Sequence, residues 1–300
     1  MKVNQLKIYL AVAEEGSIHS GARRIGISQP AVSTTIRHLE EHFGVPLMSR
    51  AVRGIELTEF GELLLTRGRA LLSDLNRLDD EMKHLALGKT GSVAVAVSTA
   101  TACALLPRAF QRFRATLPYV DVNLRDATYA HALTALREGS VDFALMHVLP
   151  SFQCPDDISR QFLSAMPYVI GVRASHPLAA VRSVADLVDA DWLLPPSSDS
   201  IPGTLFQQVF VANGLPQPKC LTHCDSIAAA LNLFAEMDVV GFFSKPLADV
   251  EFERFGLTAV PVRETLPSLH AVLLTRKTAI NSVVSQHFMQ CFVPDAEGGK

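Results

Sequence analysis

Between Gly16 and Thr58 two short helical patterns are joined by a glycine turn, and this pairing constrains the chain more than any other stretch. Ser17 is a natural N-cap, and Ile18, Ala22 and Ile25 follow at helical spacing, giving one apolar face. Gly26-Ile27 breaks that helix. Ser28 caps the next, with Pro30 in its first turn, where a missing N–H costs nothing. Val32, Ile36, Leu39 and Phe43 then step by four, three and four, predicting a buried stripe, before Gly44 and Pro46 stop the helix. Two short helices across a tight turn define a helix-turn-helix. Leu6, Tyr9, Leu10 and Ala13, on a first helix over Asn4–Glu15, close a three-helix head.

The residues left outside the stripe carry the chemistry. Gln29, Ser33, Thr34 and Arg37 project from the opposite face, with Ser28 and Pro30 at the helix start. Gln and Arg make bidentate contacts to adenine and guanine edges, and Ser or Thr contacts several bases. The N-terminal half of a recognition helix is the part that enters the major groove of double-stranded DNA. Leu47–Arg50 and Ile55–Leu57 flank Arg53-Gly54 as a hairpin with a basic tip, placing Arg50 and Arg53 for the minor groove or a phosphate. His38, Arg23 and Arg24 read more simply as a solvated face.

Gly16-Ser17-Ile18, Ala22–Ile25, Ser28–Ser33, Ile36–Glu40 and Leu47…Arg50…Leu57–Gly61 closely resemble LysR-type transcriptional regulators. The resemblance is dense over the first sixty or so residues. It continues more loosely through His176-Pro177-Leu178-Ala179 and Gly241…Pro246. Met48 stands where that family usually has Phe, and Gly21 where it usually has Ala. Within a helix, Gly21 is expected to cost roughly 0.5–1 kcal/mol against Ala.

After the hairpin a long helix is expected, with Thr58 as N-cap and Glu59 and Glu62 at the positive end of its dipole. Leu64, Leu71, Leu75, Leu78, Met82 and Leu85 fall at spacings of seven, then four and three alternately, a coiled-coil seam. The spacing predicts a homodimer through this helix, with two heads on successive half-sites of an inverted repeat. Gly88–Gly91 then releases the chain as a hinge. Tetramers, as dimers of dimers, are an implication of the family resemblance alone, and RNA polymerase is a possible further partner.

From Ser92 the texture becomes α/β. Ser92–Val97 is a continuous apolar run, as in a strand buried on both faces. A helix carrying Leu105, Leu106, Phe110 and Phe113 follows, then a half-buried strand at Val120–Leu124, a helix with Ala132, Leu133 and Leu136, and a strand at Phe143–Leu149. The pattern restarts with Tyr168–Val172, Asp191–Leu194 and Val239–Phe243. It ends in a strand over Leu269–Thr275 and a helix over Ala279–Phe292. The resemblance implies two α/β lobes like those of type 2 periplasmic binding proteins. The expected organisation is a winged helix-turn-helix over 1–57, a linker helix and hinge over 58–91, a first lobe over 92–161 plus 267–300, and a second over 162–266.

Ligands of open α/β sheets bind beyond the carboxyl ends of the strands, at helix N-termini. That places Ser98, Thr99 and Thr101 on one wall, with Thr128 and His147 beside them. The hydroxyl-rich Pro196–Thr204 stretch, with Ser198, Ile201, Pro202 and Gly203, stands on the other wall. The family's effector contacts fall on these loops, so the resemblance selects Ser98, Thr99, Thr128 and the 198–204 segment. Hydroxyls and free amides suit a carboxylate, so the expected effector is a small organic anion.

Composition narrows the alternatives. The head has seven Lys/Arg against five Asp/Glu, a net of +2, leaving −5 of the total −3 for the remainder. A few placed contacts per head, multiplied by presenting several heads, suit that mild asymmetry. Lys2 leads into an amphipathic stretch rather than a signal-peptide core, and no apolar run reaches the length of a membrane span, so a soluble cytoplasmic protein is expected. Five cysteines without framework spacing fit reduced thiols; Cys220…His223-Cys224 lacks the second ligand pair a zinc site needs, so no metal or cofactor is expected. Cys103, His131 and His147 have no oxyanion motif beside them, so no enzyme is expected. A secreted solute-binding protein would share the lobes but have no use for residues 1–90.

Overall fold

The computed structural model describes residues 1–51, 54–86, 91–194, 201–279 and 281–293. In the head, α1 (Val3–Glu15) ends at Gly16, which turns at φ +64°. α2 (Ile18–Ile25) starts where the Ser17 hydroxyl accepts from the Ser20 amide. α3 (Gln29–Phe43) buries Val32, Ile36 and Leu39 against Leu6, Tyr9 and Val12 of α1. Two expectations need correction here. Phe43 is 41% exposed, because it is the last helical residue before the Gly44 turn and overhangs the stripe. Ser28 holds the N-cap position without a side-chain capping bond, since Pro30 removes one of the amides it would receive.

The hairpin pairs β1 (Met48–Ala51) with β2 (Gly54–Leu57) in antiparallel register from Met48↔Leu57 to Ala51↔Gly54. It is held onto the head from two sides. Glu40 Oε1 accepts from the Leu47 amide at 2.8 Å, and the Ile55 amide donates to Gly16 O at 3.1 Å. The linker helix α4 (Glu59–Ala86) begins where Thr58 Oγ1 accepts from the Gly61 amide. Tyr9 donates its hydroxyl to Gly61 O at 2.8 Å, and the first turns of α4 pack on α1 through Gly68 against Leu6. Leu71, Leu75, Leu78 and Met82 of the expected seam are exposed along the helix. Leu64 instead packs on the head core, and the side chain of Leu85 and the segment 87–90 lie outside the description.

The remainder is one long mixed sheet. β3 (Ser92–Val97), α5 (Thr99–Ala104), α6 (Leu106–Thr116), β4 (Asp121–Asp126), α7 (Tyr129–Glu138) and β5 (Phe143–Val148) form three parallel strands with their crossovers. The single helix expected around Leu105–Phe113 is split at Leu105, since Pro107 in the first turn of α6 removes the amide that continuity requires. β4 is more exposed than expected, with only Val122 half-buried, because it is the edge strand.

β6 (Ile158–Arg173) is a 16-residue strand that crosses from one half of the sheet to the other. Beyond it come a short 3₁₀ turn (Val184–Leu187), β7 (Asp191–Leu194), α8 (Ile201–Ala212), β8 (Leu221–His223), α9 (Ile227–Glu236), β9 (Val239–Ser244), α10 (Lys245–Phe255) and β10 (Leu257–Ala259). β11 (Ser268–Arg276) returns to the first half, and α11 (Val283–Gln290) ends the described chain. The last helix is shorter than expected: Ser282 caps it by accepting from the Ser285 amide, which excludes Ala279–Asn281.

The strand order is β4-β3-β5-β11-β6-β9-β7-β8, with β10 on β6. Each half repeats one pattern, an edge strand, a first strand and a third strand laid against a crossing strand. β11 pairs antiparallel with β5 and with β6 up to Pro167, and β9 pairs antiparallel with β6 from Tyr168 to Gly171. The carboxyl ends of β3 and β5 therefore face the carboxyl ends of β7 and β9 across a cleft at Pro167–Tyr168. One apolar cluster, including Phe143, Met166, Trp192, Phe242 and Phe288, runs through both halves on one face of the sheet.

Candidate DNA interface and effector cleft

The head places its candidate readers together. Ser28, Gln29, Pro30, Ser33, Thr34 and Arg37 are all exposed on the N-terminal half and outer face of α3. Arg37 is 67% exposed and, among the described residues, is tethered by Glu41 one turn on, at 3.7 Å. Gln29 meets the His19 ring at 2.5 Å, so the second residue that steadies a reader comes from α2. Arg24 turns away instead: it pairs with Glu14 at 2.7 Å, and Glu14 with its own neighbour Glu15 lifts the guanidinium pKa. Arg50 lies on β1 with its side chain outside the description, and Arg53 lies outside the described residues.

Glu40 was missed by sequence reasoning. Its position at the end of the Ile36–Glu40 run gave no sign that its carboxylate would hold the wing's first amide. The N-caps and helix spacings are local signals, whereas this bond joins residues seven apart across a turn.

At the cleft, Ser98, Thr101 and His147 converge. Ser98 Oγ lies 2.9 Å from Thr101 Oγ1 and 2.7 Å from His147 Nδ1. Thr101 is fully buried, and its hydroxyl faces Ser98 O at 2.9 Å and Leu145 O at 2.7 Å. Enclosure disfavours the charged imidazolium and draws the His147 pKa down to about 4, so the ring is neutral at physiological pH. Thr99 opens α5 and is half-buried. Thr128 caps α7 on the exposed side, bonded to His131 rather than to the Ser98 group. Ser198 lies outside the described residues; Ile201, Pro202 and Gly203 form the first turn of α8, with side chains outside the description.

Two cavities lie along α4. One of about 690 Å³ lies between Lys7, Glu14 and Arg24 of the head, Arg69 and Ser73 of α4, and Glu138 of α7. Another of about 440 Å³ is lined by Phe60, Leu63 and Arg67 with Arg137, Asp157 and Arg276. Both are open and richly charged seams between elements, without the apolar enclosure of a ligand pocket. Cys220 is exposed and Cys224 points its thiol at Ser226 O. Among the described residues no helix is long and apolar enough to cross a membrane.

A three-helix head with an exposed recognition helix and hairpin, joined by a long helix to a two-lobed α/β domain, defines a DNA-binding regulator with a ligand-binding domain. Residues 3–62 match the model of the bacterial regulatory helix-turn-helix protein of the lysR family, and residues 86–296 match the LysR substrate binding domain. The chain belongs to the LysR family of transcriptional regulators. It is 30% identical over 264 residues to the HTH-type transcriptional regulator GbpR of Azospirillum brasilense, covering 87% of this chain and 77% of that one. Against the small neutral protease regulatory protein of Streptomyces coelicolor it is 32% identical over 205 residues, 66% of this chain and 61% of the relative. The crystal structure of CbnR, a LysR family transcriptional regulator, superposes with a TM-score of 0.66 at 22% identity, covering 97% of this chain and 98% of that one. CbnR has also been solved with its target DNA, at a TM-score of 0.64 to this chain, 22% identity and coverage of 97% and 99%.

Proposed function

We propose that this chain works in the cytoplasm as a homodimer, and in pairs of dimers, on promoter DNA carrying an inverted repeat. Gln29, Ser33, Thr34 and Arg37 read base edges, Ser28 and Pro30 fit the helix start to the backbone, and Arg50 and Arg53 position the wing on phosphates. α4 joins two copies through Leu71, Leu75, Leu78 and Met82. A small molecule binds between a first lobe of residues 92–161 plus 267–300 and a second of residues 162–266. Its walls are Ser98, Thr99, Thr101, Thr128 and His147 on one side and Ser198, Ile201, Pro202 and Gly203 on the other. Its binding biases lobe closure and so the spacing of heads on DNA and any contact with RNA polymerase.

The observation that carries the reading is the outer face of α3, where every polar reader is exposed while the opposite stripe is sealed in the head core. The test is selection of genomic fragments bound by the purified full-length protein, followed by footprinting. The expected winner is an inverted repeat with half-sites about one helical turn apart. Absence of any enriched fragment at low salt would overturn it, as would equal binding by a form lacking the first ninety residues.

A further inference from the structure

Hydrogen counting in the Ser98 cluster fixes the state of one ring. A hydroxyl has a single proton to donate. Thr101 Oγ1 has two carbonyl oxygens within reach, Leu145 O at 2.7 Å and Ser98 O at 2.9 Å, and these only accept, so its proton goes to them. Ser98 Oγ, 2.9 Å from Thr101 Oγ1, must therefore donate to it. With the Ser98 proton committed, the 2.7 Å contact to His147 Nδ1 needs the ring to be the donor. The chain runs from His147 Nδ1–H to Ser98, to Thr101, to the backbone.

A neutral imidazole carries one N–H, so Nε2 then bears a lone pair. His147 is the last residue but one of β5, largely enclosed but with some surface exposed at the strand end, and no described residue is bonded to its Nε2. The hydroxyls of Ser98 and Thr101, two of the groups expected to donate to an anion, are spent within the protein. Enclosure holds the ring neutral, with its pKa at about 4, so this wall offers an acceptor and no cation.

We propose that His147 is a specificity-determining residue of the effector cleft, locked by Ser98 and Thr101 as the Nδ1–H tautomer so that Nε2 selects an effector bringing a hydroxyl or amine donor. The proposal rests on the reading of the cleft as the effector site. It narrows the small organic anion expected from sequence to a molecule whose donor group, rather than its carboxylate, meets the first lobe. A carboxylate oxygen facing the Nε2 lone pair would leave two acceptors opposed, so such a pose should bind at least tenfold more weakly than its hydroxyl counterpart.

The experiment uses full-length protein with ¹⁵N-labelled imidazoles and long-range ¹H–¹⁵N spectra, His147 being assigned by loss of its signals in His147→Gln. The expected pattern is a protonated Nδ1 and a bare Nε2, reverting to the Nε2–H form in Ser98→Ala. A wild-type ring protonated at Nε2, or one unaffected by Ser98→Ala, would overturn the lock. Ethylene glycol and sodium acetate are then titrated at equal concentrations, with sodium chloride as the salt control. Glycol should move the Nε2 resonance and acetate should not; an equal response to acetate, or none to either, would overturn the selection. Failure of the cleft reading looks different: the glycol response would persist while no compound that moves the His147 signal changes the operator footprint.

Discussion

At the scale of single residues, Gly21 shows how a local cost is set by packing. A Cβ on Gly21 would lie 2.7 Å from Val12 Cγ2 and 2.8 Å from Val12 Cα. The backbone of α1 comes closer than any side chain permits, and helix propensity alone points the wrong way. Gly21→Ala gains roughly 0.5–1 kcal/mol of helix propensity but forces α1 and α2 apart, a strain of about 1–3 kcal/mol. Net destabilisation in urea unfolding is expected; a stabilised Gly21→Ala would show that the two helices separate without strain. Arg37 belongs to the other kind of position, where no fold is at stake. Arg37→Ala should cost about 1–3 kcal/mol on the best operator and relax discrimination at one base pair, with unfolding unchanged. A uniform loss on all DNA sequences in quantitative footprinting would reassign Arg37 to the backbone. The exposed face of α3 was legible because a surface face is the complement of a local 3.6-residue stripe. Glu40 and the tautomer of His147 were not, because each is decided by partners that only the folded chain brings within 3 Å.

Among elements, α4 was half legible. The four-three spacing marked Leu71, Leu75, Leu78 and Met82, and these remain 51%, 44%, 56% and 61% exposed on the single chain. The same helix also docks on the first lobe through polar groups that follow no period. Ser73 Oγ and Arg77 Nη2 both donate to Gly139 O at 2.5 Å, and Arg276 grips Asp74 at 2.9 Å. Burial pushes the Asp142 carboxyl up in pKa, and Arg77 at 2.9 Å and the Ala94 amide offset part of that cost. Contacts joining residues 60–200 positions apart carry no signal in a window of sequence, which is why the seam was expected and the docking on the first lobe was not. The two faces can be tested apart. Leu75→Glu with Leu78→Glu, both on the exposed face, should leave the unfolding transition of the chain in place while sedimentation shifts to monomer. DNA affinity should then fall by a hundredfold or more as the avidity of paired heads is lost. Dimers that survive the double substitution would move the interface off α4.

Across the whole molecule, Arg69 joins the head to the first lobe. Its guanidinium holds Glu14 of α1 at 2.9 Å and is in direct contact with Glu138 of α7, while Arg24 of α2 reaches Glu14 at 2.7 Å. Isolated surface pairs contribute little, but Arg69, Glu14 and Glu138 are about a quarter to a third exposed at one three-way junction, where apolar cover is thin. For Glu14, burial alone would raise the pKa; the bonds from Arg69 and Arg24 outweigh it and leave the carboxyl below its usual value. A carboxylate lowered on folding contributes stability that is complete above its unfolded pKa, about 4.3, and is lost as pH falls through the lower folded value. Hydrogen exchange in the last turn of α7 and in α2 should therefore quicken together as the pH of the wild-type protein is taken below about 4. Rates at each pH are corrected for intrinsic exchange. Arg69→Ala should show the quickened exchange already at neutral pH, with the acid step reduced, whereas Glu138→Gln should loosen α7 and spare α2. If Arg69→Ala leaves both segments as protected as in the wild type, the packing of Leu6 on Gly68 and of Leu64 on the head core, with the Tyr9 bond to Gly61, sets the head against α4 without it. The charged junction would then be a bystander, and a signal from the lobes would have to reach DNA by way of the proposed dimer instead.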